Sequence, residues 1–460
     1  MHDLAKIERL YFIGIGGIGM SALARYFKGQ GKYVSGYDRN ETELTRQLVR
    51  EGIPIHYTDS IAQAPKDTQL VVYTPAIPED HQELTFYRLG GYEVQKRSEV
   101  LGWITRSSFN VCVGGTHGKT TVSTLIAHLL RASGRAATAF LGGISVNYQS
   151  NFWSDGPDLC VVEADEYDRS FLRLNPDIAV ITAMDADHLD IYGTEESLRQ
   201  AYVDFALRVK PGGMLIYKSG LEVLRKSVGS KKADYGLMDQ NADWHAAEVR
   251  IEEGSYRFDV VAKEGTLRGL SLGIGGMHNV ENAVAAIAVA RQLGLQEKQI
   301  KEAIGSFRGV RRRFEYIIAP GKGKPEGPVF IDDYAHHPEE LRALISSARS
   351  LFPGLPCTVV FQPHLYSRTR DLAAGFAESL DLADEVILLP VYPARELAIP
   401  GVSSELILKR MKRARVVCLG KEDAIDELGN RKIGLLITAG AGDIDALVEP
   451  LRQNLERTNP

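Results

Sequence analysis

Cysteine is scarce in this chain. Four cysteines, Cys112, Cys160, Cys357 and Cys418, are scattered through 460 residues without a Cys-x-x-Cys pair, which argues against a disulfide framework or a cysteine zinc site and fits a reducing cytoplasm. Long hydrophobic runs are missing too. No uninterrupted apolar stretch reaches membrane-spanning length, and the amino terminus lacks the basic, apolar and small-residue succession of an export signal. An excess of positive charge is also absent, and a formal net charge of -5 supplies no basic field for a nucleic-acid backbone. The expectation is a cytoplasmic protein with no membrane insertion and no nucleic-acid partner, either monomer or homodimer. Of the short basic spots, Lys231-Lys232 and Lys409 to Arg415 read as solvated faces, and Arg311 to Arg313 has a second reading below. No repeat of solenoid period is visible.

What is present is an ordinary globular composition, 44% hydrophobic and 25% charged, long enough for about three domains at roughly 150 residues each. Short β-type apolar runs alternate with helical patterns, which predicts an α/β fold of mostly parallel sheets. The first domain, 1–107, is Rossmann-like. It has predicted strands Leu10 to Ile15, Tyr33 to Tyr37 and Leu70 to Thr74, a helix Met20 to Lys28, and a polar linker Arg106 to Asn110. The second, 108–312, is of P-loop ATPase type. Its predicted strands are Asn110 to Val113, Leu159 to Glu163, Ile178 to Ala183 and Met214 to Tyr217, its helices Lys119 to Ala132 and His278 to Leu293. Alternation between Trp244 and Ile274 predicts antiparallel hairpins. The third, 313–460, is again Rossmann-like, with strands Val329 to Ile331, Thr358 to Phe361, Val386 to Pro390, Val416 to Leu419 and Leu435 to Thr438. Gly321 to Gly327 reads as a flexible excursion.

The strongest local signal is Gly114-Gly115-Thr116-His117-Gly118-Lys119-Thr120-Thr121 between a β run and a helix. Backbone N–H groups of such a turn converge on phosphate oxygens, Lys119 supplies charge for the β and γ phosphates, and the Thr120 hydroxyl is placed for magnesium. A full Walker pattern has glycine where Val113 stands, so this is the shorter Gly-x-x-Gly-Lys-Thr form. A second turn, Gly14-Ile15-Gly16-Gly17-Ile18-Gly19, follows a strand, with Asp38 at the end of the next. Alone it suggests a nicotinamide enzyme; beside a triphosphate loop, it can hold the diphosphate of a nucleotide sugar. Asp38 then either reaches a ribose hydroxyl or caps the following helix. Acidic groups end two further strands, Glu163-Ala164-Asp165-Glu166-Tyr167-Asp168 and Asp185-Ala186-Asp187-His188-Leu189-Asp190. Such carboxyl-end clusters suit magnesium.

Together with His278-Asn-Val-Glu-Asn282, Gly309-Val-Arg-Arg-Arg-Phe314, Asp332-Asp-Tyr-Ala-His-His-Pro338 and Phe361-Gln-Pro-His364, these stretches run in order along nearly the whole chain, which resembles the Mur ligase family. The resemblance implies ATP-dependent joining of L-alanine to UDP-N-acetylmuramate through an acyl phosphate, with ATP and Mg2+ as cofactors. It places Gly115, Thr116, Gly118, Lys119, Thr120 and Thr121 at the ATP phosphates, His278, Asn279 and Asn282 near adenine, and Arg313 and Asp332 at the nucleotide. Thr120, Glu163 and His188 would hold metal. Gly14, Gly16, Gly17, Gly19 and Asp38 would meet the sugar nucleotide, and Tyr334, His336 and Arg368 the amino acid, where an arginine fork suits a carboxylate. Lys119, His188 and Arg368 are the expected catalytic residues, and the base for the amine is open between His188 and His336.

Two departures bear on the amino acid. Some alanine-adding relatives carry arginine where Leu365 stands, which shifts carboxylate recognition toward Arg368. No lysine falls between Asp185 and Val209, where other Mur ligases use a modified one, and that agrees with the alanine-adding branch. The rivals are a ligase adding a preformed tripeptide, a nicotinamide dehydrogenase, and a nucleotide-binding scaffold without catalysis.

Overall fold

The computed structural model describes residues 4–106, 108–185, 189–226, 231–320, 327–394, 396–429 and 431–458. After a short 3-10 turn at Leu4–Lys6, the first strand, Arg9–Ile13 (β1), is buried on both faces, and the glycine turn after it leads into helix Ile18–Gly29 (α1), which buries Met20, Ala22, Leu23, Ala24 and Phe27. Strand Tyr33–Tyr37 (β2), helix Glu43–Arg50 (α2), strands Ile55–His56 (β3) and Leu70–Tyr73 (β4), helix Gln82–Leu89 (α3), strand Val94–Lys96 (β5) and helix Arg97–Thr105 (α4) follow. The sheet runs β3-β2-β1-β4-β5, all parallel. The order reverses between β1 and β4, and open parallel sheets place ligands at the carboxyl ends of such strands.

The second sheet is built on Phe109–Gly114 (β6), which feeds helix Lys119–Ala132 (α5). Its other strands are Thr138–Ser145 (β7), Ser150–Ser154 (β8), Leu159–Glu163 (β9), Ile178–Ile181 (β10), Met214–Lys218 (β11), Lys231–Gly236 (β12), Trp244–Glu252 (β13), Ser255–Ala262 (β14) and Gly265–Leu272 (β15). They lie in the order β15-β14-β13-β12-β11-β10-β6-β9-β7-β8. β6 sits between β9 and β10, parallel to both. The two-residue links Glu253-Gly254 and Lys263-Glu264 join β13, β14 and β15 as hairpins, since only antiparallel neighbours accept so short a turn. The third sheet contains Glu315–Ile318 (β16), Val329–Asp333 (β17), Cys357–Phe361 (β18), Glu385–Leu388 (β19), Arg415–Cys418 (β20) and Leu435–Ala439 (β21), ordered β16-β17-β21-β18-β19-β20. Only β16 is antiparallel to its neighbour there.

Two compact units emerge, one of 1–246 with 260–266 and 281–304, the other of 247–259, 267–280 and 305–460. In the first unit α1 packs on β7 and β8. Tyr26 meets Phe140 at 5.6 Å between ring centroids, and Phe140 meets Phe152 at 5.3 Å, contacts worth about 0.5–1.5 kcal/mol each beyond burial. A polar link lies beside them. Arg25 Nη1 donates to Asn151 Oδ1 at 2.5 Å, and Asn151 Nδ2 donates to the Ile18 carbonyl at 2.6 Å.

The structure departs from the sequence pattern in several places. Strands β3, β5, β7, β8, β12 and β16 carry too few alternating apolar residues to stand out. The expected linker is shorter, because Phe109 and Asn110 already belong to β6. The excursion at 321–326 lies outside the described residues.

Candidate active site

Between β6 and α5, the phosphate-type turn is held from the side by the end of β10. Thr182 Oγ1 donates to the carbonyls of Gly114, at 3.2 Å, and His117, while the Thr116 amide donates to the Ala183 carbonyl at 3.2 Å. Gly118, the residue before α5, has φ +83 and offers no side-chain cap. A Cβ there would stand 2.8 Å from Asn282 Oδ1, so glycine is required twice over. The uncapped first turn of a fourteen-residue helix leaves its amides for an anion.

The charged side chains at this turn are already engaged. Lys119 Nζ donates to the Gly115 carbonyl at 2.7 Å and pairs with Glu166 Oε1 at 2.8 Å, Glu166 being almost wholly buried. Glu163, at the end of β9, accepts from Thr120 Oγ1 at 3.1 Å, Ser123 Oγ at 3.4 Å and the Gly142 amide at 3.0 Å. The Thr120 hydroxyl and the Glu163 carboxylate thus face each other. This hard-oxygen pair beside a triphosphate turn fits magnesium, which keeps waters and phosphate oxygens and takes one or two carboxylates. Among the described residues no group of three or more His, Cys, Asp or Glu forms a protein-only metal cage. His188 lies outside the described residues, as do Ala186 and Asp187.

The glycine turn after β1 is arranged differently from the sequence expectation. The amides of Gly14 and Ile15 donate to the Tyr37 carbonyl at 2.8 and 3.0 Å, and Gly17 donates to Gly14 at 3.2 Å. Asp38 accepts from the Gly16 amide at 2.8 Å and the Asn40 amide at 3.1 Å. It does not cap α2, whose cap is Thr42. Asp38 therefore stiffens the turn. The amides left without intrahelical partners are those of the first turn of α1, residues 18–20. That turn opens on a cleft of about 270 Å³, lined by Gly17, Gly19, Thr74, Arg97, Gly142, Glu163 and Asp165 among others. Gly14, Gly16 and Asp38 are not in its lining.

In the second unit a separate polar cluster gathers at the carboxyl ends of β17, β18 and β21. Asp332 accepts from Thr438 Oγ1 at 2.5 Å and faces Arg312 Nε at 3.4 Å, and burial pushes its carboxyl up to about 7 against the pull of that guanidinium. Asp333, accepting from the Phe314 and Ala335 amides at 2.6 and 2.7 Å, is pushed up to about 6, again by burial. Arg312 is thus the cation facing Asp332, and Arg312 and Arg313 both lie over the Tyr334 ring, at 5.1 and 5.8 Å. His336 Nδ1 donates to the Tyr334 carbonyl at 2.9 Å, and burial holds its ring below the usual histidine range. Its neighbour His364, 6.1 Å away between centroids, stacks on Tyr392 and is pushed down to about 4 by burial and by Arg368. Gln362 Oε1, His364 Nδ1 and Arg368 Nη1 are buried without a hydrogen-bond partner. His278 and Asn279 open the helix Met277–Gln292, with Asn279 Nδ2 donating to the Gly275 carbonyl at 2.6 Å.

Sequence reasoning singled out Glu163 but not Glu166, although the three-residue spacing was a signal. It passed over Ser123 and Thr182, whose partners are distant in sequence, and within the Arg311 to Arg313 cluster it favoured Arg313 over Arg312.

Three sheet-centred α/β domains, one carrying an uncapped phosphate turn with a lysine and a carboxylate, define a nucleotide-dependent enzyme of the P-loop type. The chain belongs to the Mur ligase family. Family models match in succession: "Mur ligase family, catalytic domain" over 9–109, "Mur ligase middle domain" over 113–290, and "Mur ligase, glutamate ligase domain" over 312–442. The chain is 48% identical to a UDP-N-acetylmuramate--L-alanine ligase of Parabacteroides distasonis, over 98% of both proteins. Identity is also 48% to the enzyme of that name from Porphyromonas gingivalis W83, over 98% of this chain and 99% of the relative. The crystal structure of a UDP-N-acetylmuramate-alanine ligase from Thermotoga maritima superposes with a TM-score of 0.81 at 28% identity, covering 98% of this chain and all of that one. A murein peptide ligase from Psychrobacter arcticus shares the fold, with a TM-score of 0.67 at 22% identity over 97% of this chain and 98% of that one.

Proposed function

We propose that this protein ligates L-alanine to UDP-N-acetylmuramate with hydrolysis of ATP to ADP and phosphate, the first peptide-forming step of peptidoglycan precursor synthesis. The observation that carries the reading is the cleft in which the first turn of α1 and Glu163, the partner of the Thr120 hydroxyl, line one space. A sugar nucleotide seated on α1 then presents its acid toward a triphosphate seated on α5. The identity to alanine-adding relatives over nearly the full chain supports alanine over tripeptide.

The division of labour follows the three domains: 1–107 for the sugar nucleotide, 108–312 for ATP, and 313–460 for the amino acid. The muramate carboxylate attacks the γ-phosphate, ADP leaves, and the alanine amine displaces phosphate from the acyl phosphate. The protein's contribution is position and charge. The α5 amides and Lys119 hold the phosphates, Lys119 exchanging Glu166 for them. Thr120, Glu163 and His188 would hold magnesium, which would supply charge neutralisation at the phosphate oxygens. Arg368, with an unpaired buried Nη1, suits the alanine carboxylate. His336, kept neutral by its surroundings, can accept the amine proton. Among the described residues no helix is long and apolar enough to cross a membrane, and the reaction is placed in the cytoplasm, where ATP is supplied.

A phosphate-release assay with ATP, magnesium, UDP-N-acetylmuramate and a panel of amino acids tests the reading. L-alanine should give the highest kcat/KM. Turnover with tripeptide and none with alanine would reverse the assignment.

A further inference from the structure

Among the described residues lining the cleft next to α1, Arg97 is the one cation, set against the carboxylates of Glu163 and Asp165. It is the first residue of α4 and reaches from the first domain toward the second. Its side chain runs close against the first turn of α1: a Cβ added to Gly19 would stand 2.5 Å from Nη1 and 3.1 Å from Cδ. Any side chain at position 19 would push the arginine away, which gives that glycine a reason beyond the bend of the turn. The side chain is four-fifths covered, yet its ion pair with Asp165 is loose, with Nη2 3.4 Å from Oδ2 on a 41% exposed carboxylate. A charge-assisted guanidinium contact closes to about 2.7–2.9 Å when it is made in earnest, and an exposed pair of this length contributes little. Asp165 Oδ1 is meanwhile engaged by the Tyr167 amide at 3.0 Å.

We infer that Arg97 is a substrate-contacting residue that takes an anionic oxygen group of the sugar nucleotide and releases Asp165 as it does so; the inference rests on the function proposed above. The planar fork and the unpartnered amides at residues 18–20 face the same space, so one anion can be gripped from both sides. The diphosphate is the expected occupant, because the first turn of α1 is where a diphosphate would lie. The lactyl carboxylate of the muramate sugar offers the same oxygen chemistry a few bonds further along.

Titration calorimetry and steady-state kinetics on the full chain separate these cases. Arg97→Ala should raise Kd and KM for UDP-N-acetylmuramate by about 10- to 100-fold while leaving the KM for ATP within about twofold. Arg97→Lys should recover part of the loss, and Arg97→Gln keeps much of the stem over Gly19 should the alanine variant fold poorly. Asp165→Asn retains the acceptor for Tyr167 but drops the competing charge, so it should tighten sugar-nucleotide binding. UDP-N-acetylglucosamine, which lacks the lactyl acid, should lose the same factor with Arg97→Ala if the diphosphate is held; a loss confined to the muramate compound assigns the carboxylate. Unchanged binding in a folded Arg97→Ala protein overturns the inference, as does an Asp165→Asn variant weakened as much as Arg97→Ala, which would make the pair a strut between domains. Wild-type turnover in the same assay keeps this failure distinct from failure of the proposed function.

Discussion

The two units handle charge in opposite ways. In the first, the groups around the phosphate-type turn and Asp38 are mutually satisfied: Lys119 with Glu166, Glu163 with a threonine, a serine and an amide, and Asp38 with two amides. In the second, Asp332, Asp333, His336 and His364 are shifted by burial, and Gln362, His364 and Arg368 hold buried atoms without partners. A phosphate site can be pre-formed with stand-in partners because the incoming anion replaces one charge by another. In the function proposed above the second unit selects a small zwitterion, and the buried atoms of Gln362, His364 and Arg368 that lack partners leave hydrogen bonds for that ligand to make.

The sharpest way to break this comparison is Lys119→Ala. Alone it would strand Glu166 as a buried unpaired carboxylate, so the informative chain also carries Glu166→Gln. With the stand-in pair removed together, the fold should persist by circular dichroism and melting, while kcat falls by about a thousandfold. Ligase activity within tenfold of wild type would show that the pair is structural. Next in size is Glu163→Gln, for which the half-saturating magnesium concentration should rise on the order of tenfold or more, read from a metal titration of phosphate release. An unchanged metal dependence would leave Glu163 as a tie between α5 and β7.

How much of this was legible in the sequence follows from range. β1, β6, β9, β10 and the turn Gly114 to Thr121 could be read because their signals are local: apolar runs, glycine spacing, and a lysine and threonine at fixed offsets. Arg25 and Asn151 are 126 residues apart and Arg97 and Asp165 are 68 apart, and nothing in either local stretch marks the partner. The hairpin β7–β8 was hidden for a related reason, since Gly142, Gly143 and the polar Asn147 to Asn151 dilute the alternation while burial against α1 supplies the stability. Asp38 shows a different limit: its position at the end of β2 was plain, but the amides it accepts from, those of Gly16 and Asn40, are set by how the glycine turn folds back on it.

Asn151→Ala tests whether the first unit's satisfied state is a stability device. It leaves the buried Arg25 Nη1 without Asn151, while the Ile18 carbonyl keeps the Ser21 hydroxyl at 2.8 Å, and Asn151 itself is fully buried. A loss of about 1–3 kcal/mol is expected from urea unfolding, with the first unit affected and the second unchanged. Equal loss in both units, or none, would remove the contrast drawn above.

The smallest effect is the acid response of the second unit, and it turns on sign. His364 has its ring pushed down to about 4, chiefly by burial and then by Arg368, against roughly 6.5 in an unfolded chain. The depressed value means that the neutral ring stabilises the fold fully above pH of about 6.5, and that this contribution is lost as pH falls toward about 4, because only the unfolded chain takes up the proton in that window. Asp332, raised to about 7 by burial, has the opposite slope: its contribution is present below the usual carboxylate range and is lost as pH rises through 7. The two therefore cancel in part between pH of about 4 and 6.5, and a wild-type stability profile alone is uninformative. His364→Gln should stabilise the protein relative to wild type at pH 5 compared with pH 7, and ring-carbon NMR should show His364 still neutral at pH 5. A ring titrating near 6.5 would mean that Arg368 and burial exert no hold on it, and the second unit would then be as fully compensated as the first.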